Sequence, residues 1–428
     1  MSAETIARLR AMMAREDIDA VILSHPHDVR YATGYHSVLE RWTQQEPLCG
    51  AIVPRDASKP VTLLIPEASI GVIAVGNERE QRIFCDEIRT FDMLNFCQVA
   101  RADDPGARRS ELARAALGIA SEKIRGACQP DLLAALSQGL KANGLDRRGR
   151  IGCDDWRIGH RATQGMQVDL FDALDFLMRV RVVKTPGEIA RYRKVGKLAD
   201  AVIAQAGREV VHGRSWSEVQ ARIAEFMVRN EVVPVDEGAV LFGGGYDGDF
   251  IPDLFRTPVD RPLQSGDIII LETQGVHEGF WIDINRTAVV GPPSAEYLRL
   301  HDILRDAFLK TVDHLRPGVH TGELAKIARD HLVQNGVAAP DKLLLVAHGI
   351  GYMPLEIPVP FPSHGLAGVA GFEMAEDMLI SLDCLYFGGT PGPCHMENVY
   401  AITSGAPEPM YHAPLELFVA EAPELAGA

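Results

Sequence analysis

No apolar run in the chain reaches the roughly 18 residues of a membrane-spanning helix. The opening Met1 to Arg8 also lacks the charged-then-apolar plan of a secretory leader, so the expectation is a cytoplasmic protein. Cysteine is sparse and unpatterned: seven residues, at positions 49, 85, 97, 128, 153, 384 and 394, make no CxxC pair and no even framework. That usage argues against a disulfide scaffold and fits reduced thiols. Cys384 and Cys394 flank a carboxylate pair described below, yet they read as small core residues. Basic charge is short as well, with 43 Lys and Arg against 58 Asp and Glu and a formal net charge of -15. Nucleic acid and anionic membrane are therefore poor partners. Low-complexity tracts and repeats of solenoid period are absent.

What is present is an ordinary globular composition, 46% hydrophobic and 24% charged over 428 residues, long enough for two domains. The first half alternates an amphipathic helix (2–15) with apolar strand segments at 20–24, 51–54 and 61–65, an α/β pattern. Near residue 180 the pattern changes, and the boundary is placed there, giving units 1–180 and 181–428. Long amphipathic helices are expected at about 187–208 and 215–231, with strands after Pro234. Further helices follow the Ser294 cap and span roughly 321–335, stopping at Gly336. Helices flanking antiparallel hairpins make the second unit α+β.

Two of these hairpins carry the chemistry. In the first, an apolar run through Glu272, a polar turn with glycine, and a second run through Asp283 read as paired strands. Glu272 and Asp283 are equidistant from the point between His277 and Glu278, so they are expected to face each other across the ladder. In the second, Asp383 and Glu397 are equidistant from Thr390 within a Gly/Pro turn. Like charges opposed on neighbouring strands destabilise a sheet unless a cation sits between them. Two such pairs point to a metal site, one with two ions. His348 lies between an apolar strand (343–346) and a glycine-rich bend, and neutral imidazole beside carboxylates suits Mn, Fe, Co or Zn. The glycines at 349 and 351 equally serve a sharp backbone turn.

Taken in order, these residues resemble the pita-bread peptidase family of methionine aminopeptidases, Xaa-Pro aminopeptidases, prolidases and creatinase. The resemblance covers about 180–428 by motif. The segment before Gly266 and Asp267 looks like the family's lead-in to its first strand, and Lys184 to Glu188 like its interdomain helix start. The first half is similar to the creatinase/prolidase N-terminal domain, carried by Val29 to Gly34. The resemblance implies a C-terminal pita-bread fold and a divalent-metal centre of one or two ions. Carried over residue by residue, its ligands are Glu272, Asp283, His348, Asp383 and Glu397. It also implies a homodimer in which the N-terminal domain caps the partner's site, with His25, His27 and His36 in that half.

The sequence departs from the family at informative positions. Glu272 stands where the family has Asp, and Asp383 where it has Glu, so every ligand position keeps a metal-competent group. Two family histidines are replaced by Phe255 and Leu355, which puts ordinary Xaa-Pro cleavage and creatine hydrolysis in doubt. In the role the resemblance implies, Asp383 takes the proton of an activated water and returns it to a leaving nitrogen. Glu356 either orients substrate or a group behind the ligands, or is a surface or loop residue. Phe255, Trp281, Tyr352 and Leu355 are candidates for lining the substrate cleft, Trp281 by sharing a strand face with Asp283, with plain core packing the alternative for each aromatic. Arg286 reads as a structural salt bridge or as a cation lowering nearby carboxylate pKa values. The leading function is a metal-dependent hydrolase of an amide or related C–N bond in a small molecule or short peptide, possible non-peptide substrates included. Its alternatives are creatinase-like metal-free hydrolysis, lyase chemistry like that of the dimethylsulfoniopropionate-cleaving branch, and a noncatalytic binding module.

Overall fold

The computed structural model describes residues 2–36, 47–70, 83–93, 122–235, 240–244, 261–358, 372–388 and 391–422. The chain divides into two compact units, Met1–Val180 and Arg181–Ala428. Among the described residues no helix is long and apolar enough to cross a membrane.

The first unit is built on a six-stranded sheet of β1 (Ala20–Leu23), β2 (Gly50–Pro54), β3 (Thr62–Pro66), β4 (Glu87–Phe91), β5 (Arg150–Cys153) and β6 (Asp169–Asp172). Its strand order is β4-β3-β2-β1-β5-β6. β1 pairs β2 antiparallel but β5 parallel, so the sheet is mixed. Strands β1 to β3 are buried along their whole length, which is why they read as unbroken apolar runs rather than alternating ones. Ala20, Ile22, Ile52 and Leu64 from the sheet pack with Leu132, Leu136 and Leu140 of helix Leu132–Ala142 in one core. The motif Val29 to Gly34 is the end of helix Pro26–Thr33, closed by Gly34 at φ 70.

The second unit opens with helix Pro186–Glu209, whose start is written in the sequence as Thr185-Pro186-Gly187-Glu188. Thr185 accepts from the Glu188 amide and Glu188 accepts from the Thr185 amide, a reciprocal capping box with proline in the first turn. One sheet holds β7 (Val233–Pro234), β8 (Val240–Gly244), β9 (Ile268–His277), β10 (Phe280–Val290) and β15 (Phe418–Ala420). The other holds β11 (Leu343–Gly349), β12 (Leu379–Tyr386), β13 (Cys394–Ala401) and β14 (Glu408–Pro409). Side chains stitch β10 to β13. Thr287 Oγ1 donates to the His395 carbonyl at 3.1 Å and accepts from the His395 amide at 2.9 Å.

The first hairpin departs from the expected register. Its loop is the two-residue turn Glu278 (φ 48) and Gly279 (φ 85). A type I′ turn needs positive φ at both central residues, and glycine supplies the second without strain, so the pivot falls one residue later than the symmetry of the acids suggests. Asp283 therefore faces Gln274, and Glu272 faces Asn285. Glu272 and Asp283 remain on one face of the sheet as diagonal neighbours. In the second hairpin Asp383 stands directly opposite Glu397.

Candidate metal centre

Five strands bring the acidic and imidazole groups together. Alternation sends Glu272 and Gln274 off β9 and Trp281, Asp283 and Asn285 off β10 to the same side. β12 contributes Ser381 and Asp383, β13 contributes His395 and Glu397, and β11 carries His348 one residue before its end. Asp283, His348, His395 and Glu397 are buried. Asp383 keeps 22% of its side chain exposed, and Glu272, Gln274 and Trp281 are also partly open, so these residues form the mouth of the site.

The hydrogen bonds show how so many acids are held. Gln274 Nε2 lies 3.2 Å from Glu272 Oε1 and 3.2 Å from Asp283 Oδ1, donating to both. Glu397 accepts from Ser381 Oγ at 2.5 Å and from the Asn285 amide. Asp383 Oδ1 is 2.8 Å from His395 Nε2, while its Oδ2 is 3.3 Å from His348 Nε2. His348 Nε2 is also 3.7 Å from Glu397 Oε1. His348 Nδ1 lies 3.1 Å from the Gly349 carbonyl, which takes the proton on that nitrogen and leaves Nε2 facing the carboxylates.

Electrostatics follow from this crowding. Burial, with Glu397 and Asp383 nearby, holds Asp283 well above the usual carboxylate range. Burial pushes Glu272 up to about 7, opposed by His395 and reinforced by Glu397 and Asp383. For His348 burial works downward, but its bonds to Asp383 and Glu397 win and raise it well above the ordinary imidazole value. Asp383 is the converse: burial raises it, and the two imidazoles outweigh that and lower it. One carboxylate is thus kept ionised among others that resist ionisation. The donor set of carboxylate oxygen and imidazole nitrogen suits Mn, Fe, Co or Zn, and a divalent cation placed among these acids removes their mutual repulsion. Ligand-type atoms of Asp283, His348 and Glu397 lie within 4.8 Å of one another, as do those of Asp383, His395 and Glu397. The residues present therefore fit a divalent-metal centre.

The other residues singled out in the sequence occupy different positions. Glu356 is buried and its carboxylate is claimed: Lys184 Nζ at 2.5 Å, Arg181 Nε at 3.3 Å and the Tyr352 amide at 3.1 Å. Burial raises its pKa, but Lys184 and Arg181 outweigh this and lower it. Gly349 is required here, because a Cβ on it would sit 2.3 Å from the Ile357 carbonyl oxygen. The Tyr352 ring packs on Phe280, their centroids 4.7 Å apart, and Phe280 leaves β10 on the side away from Asp283. Leu355 is half-buried in the same bend. Phe255 lies outside the described residues. Arg286 is fully buried and forms no ion pair with the acids; its donors go to the carbonyls of Asn285, Glu397, Ala413 and Pro414 and to Asn398 Oδ1. In the first unit, His25 and His27 approach Asp28, at 4.0 and 3.3 Å, and His36 is exposed.

Sequence reasoning passed over His395, Gln274, Asn285 and Ser381. For His395 the signal was available: two residues before Glu397 on a strand, it must share that residue's face. Gln274 and Asn285 were hidden by the register.

A unit of mixed helices and two sheets thus carries the carboxylate–imidazole centre, and an α/β unit precedes it in the chain. The chain belongs to Metallopeptidase family M24, whose profile matches residues 190–404; the Creatinase/Prolidase N-terminal domain matches residues 5–195. It is 30% identical over 248 residues to a probable dipeptidase PepE of Mycobacterium tuberculosis, covering 58% of this chain and 63% of that protein. It is 26% identical over 232 residues to an Xaa-Pro dipeptidase of Pyrococcus horikoshii, covering 54% and 62%. The matches thus span under two thirds of the length of these relatives. Among solved structures, an Xaa-Pro dipeptidase from Bacillus anthracis superposes with TM-score 0.70 at 17% identity, over 98% of this chain and 100% of that one. Dipeptidase PepE from Mycobacterium ulcerans gives 0.68 at 21%, over 98% of each. The fold is a C-terminal pita-bread unit with an N-terminal creatinase-like domain.

Proposed function

We propose that the protein is a metal-dependent hydrolase that cleaves an amide or related C–N bond in a short peptide or similarly small substrate. The observation that carries this reading is the convergence of Asp283, His348, Asp383, His395 and Glu397 into two donor groups that share Glu397. Glu272, Asp283, His348, Asp383 and Glu397 hold the metal, one or two ions of Mn, Fe, Co or Zn. Bound there, the metal supplies an activated water and polarises the substrate carbonyl.

The protein's own groups do the rest. Asp383, at the mouth and in contact with both imidazoles, is placed to receive the water's proton on a carboxylate oxygen. It then returns that proton to the leaving nitrogen. Gln274 steadies Glu272 and Asp283. Glu356, committed to Lys184 and Arg181, holds the bend that carries His348 rather than touching substrate. Trp281 and Leu355, with Phe255, line the substrate side. The names of the relatives, dipeptidase and Xaa-Pro dipeptidase, support peptide-like substrates. The replacement of two family histidines by Phe255 and Leu355 supports a preference away from Xaa-Pro bonds and leaves room for a non-peptide amide. A cytoplasmic homodimer acting without nucleic acid or membrane completes the proposal.

The test is elemental analysis of protein purified without added metal or chelator, followed by a screen of dipeptides and small amides with the metal found. One or two equivalents of a divalent ion and metal-dependent amide cleavage are expected. A chain that stays metal-free when challenged with each ion overturns the reading.

A further inference from the structure

We propose that His395 is an inner ligand of the centre, so that each of two ions is held by its own imidazole, His348 on one side and His395 on the other. This rests on the metal reading above and extends its ligand set by a residue outside the five positions given by the resemblance.

Three observations carry it. First, the donor atoms fall into two groups, Asp283 with His348 and Glu397, and Asp383 with His395 and Glu397. Glu397 is common to both, and each group contains one imidazole. Second, Asp383 divides its oxygens between the rings, Oδ1 at 2.8 Å from His395 Nε2 and Oδ2 at 3.3 Å from His348 Nε2. Donors about 2.1 Å from one ion lie roughly 3.0 Å apart in octahedral geometry and about 3.4 Å apart in tetrahedral geometry. The observed 2.8 and 3.3 Å lie near that range, with His395 the closer ring. Third, His395 is 3% exposed, and its Nδ1 is buried with no hydrogen-bond partner among the described residues. A neutral imidazole has one N–H and one lone pair. With the proton on Nε2, that nitrogen donates to Asp383 and the Nδ1 lone pair is buried unfilled. With the proton on Nδ1, the Nε2 lone pair faces a carboxylate oxygen and the buried N–H has no acceptor. A cation at Nε2 takes the lone pair that otherwise faces the Asp383 carboxylate.

The strand makes the placement firm. His395 and Glu397 share a face of β13, and the His395 backbone is pinned through its amide and carbonyl to Thr287 Oγ1. The ring therefore has little freedom to leave the centre. Glu272 lies near enough for His395 to oppose the rise of its pKa.

The test is a Co(II) titration of the chelator-treated full chain, reading equivalents bound by equilibrium dialysis and the visible ligand-field spectrum. It is run on the wild type and on His395→Ala, His395→Gln and His348→Ala. Gln keeps an N–H for Asp383, so a role limited to that hydrogen bond is rescued by Gln while a ligand role is not. The expected result is two equivalents for the wild type, and for both His395 variants a loss of at least about 100-fold in affinity for one equivalent. Losing even an outer-shell partner costs about 10–100-fold. His348→Ala is expected to weaken the other equivalent and alter a different part of the spectrum. Wild-type affinities and an unchanged spectrum in His395→Ala or His395→Gln overturn the inference and leave the metal reading intact. A wild type that binds no Co(II) overturns the metal reading, and this inference with it.

Discussion

Gln274 faces Asp283 directly across the β9–β10 ladder, with its amide 3.2 Å from the Asp283 carboxylate. The sequence suggests an acid at that position; the structure puts a neutral donor there, and the same amide reaches Glu272. The acids of this hairpin are thus spaced diagonally by an amide that neither repels them nor competes for a cation. Asn285, opposite Glu272, does the same for Glu397.

Removing the two most deeply placed ligand carboxylates together, Asp283→Ala with Glu397→Ala, is expected to abolish metal binding and activity. Circular dichroism should show an unchanged fold. Because Asp283 is a buried acid beside like charges, its loss should also raise the melting temperature of the chelator-treated chain. A shift of about 2–4 °C per kcal/mol is the scale for a folded unit of the size of Arg181–Ala428. Full activity in the double variant would sink the metal mechanism.

Glu272 gives the pH dependence. Its carboxyl ordinarily titrates near 4.5 and is pushed up to about 7 by burial. A raised carboxyl favours the protonated form in the fold. Its contribution is therefore fully present below 4.5 and is lost as pH rises toward 7, so the metal-free chain should lose stability across that interval. Metal must displace the same proton, so affinity should rise with pH by up to about tenfold per unit until Glu272 is ionised. Denaturation midpoints of the metal-free chain and ion titrations at stepped pH read the two trends. A flat profile in both would remove Glu272 from the centre.

Glu356→Gln should be severe for stability. Lys184 and Arg181 are 2% and 1% exposed, and both point at this carboxylate. Taking away one partner of a buried ion pair costs about 3–5 kcal/mol, because the remaining charge is left without compensation. Urea midpoints measure it directly. A loss under about 1 kcal/mol, the range of exposed ion pairs, would show that the cations find other partners.

Specificity is open to a reciprocal change. Xaa-Pro dipeptides are expected to be turned over more slowly than other dipeptides or small amides, since Phe255 and Leu355 replace the family's two histidines. The double change Phe255→His and Leu355→His should raise kcat/KM for Xaa-Pro substrates by about 10²–10⁴, the usual worth of a positioned acid–base group. Efficient Xaa-Pro cleavage by the unaltered chain would contradict this.

Local chemistry alone determined a good deal here. The capping box at Thr185 and Glu188, the buried strand at Ala20–Leu23 and the pairing of Asp383 with Glu397 each follow from neighbours in the chain. Alternation also fixes His395 beside Glu397, since a strand has only two faces. The first hairpin shows where such reasoning fails: symmetry of charge placed the pivot, but the backbone of Glu278 and Gly279 decided it. The remaining features required tertiary structure. Glu356 meets Lys184 across 172 positions of sequence, and Arg286 reaches the carbonyls of Ala413 and Pro414 more than a hundred residues on. No periodicity or local spacing encodes such partners. A buried charge takes whichever groups the packed strands bring to it, and that is known only once the sheets have been assembled.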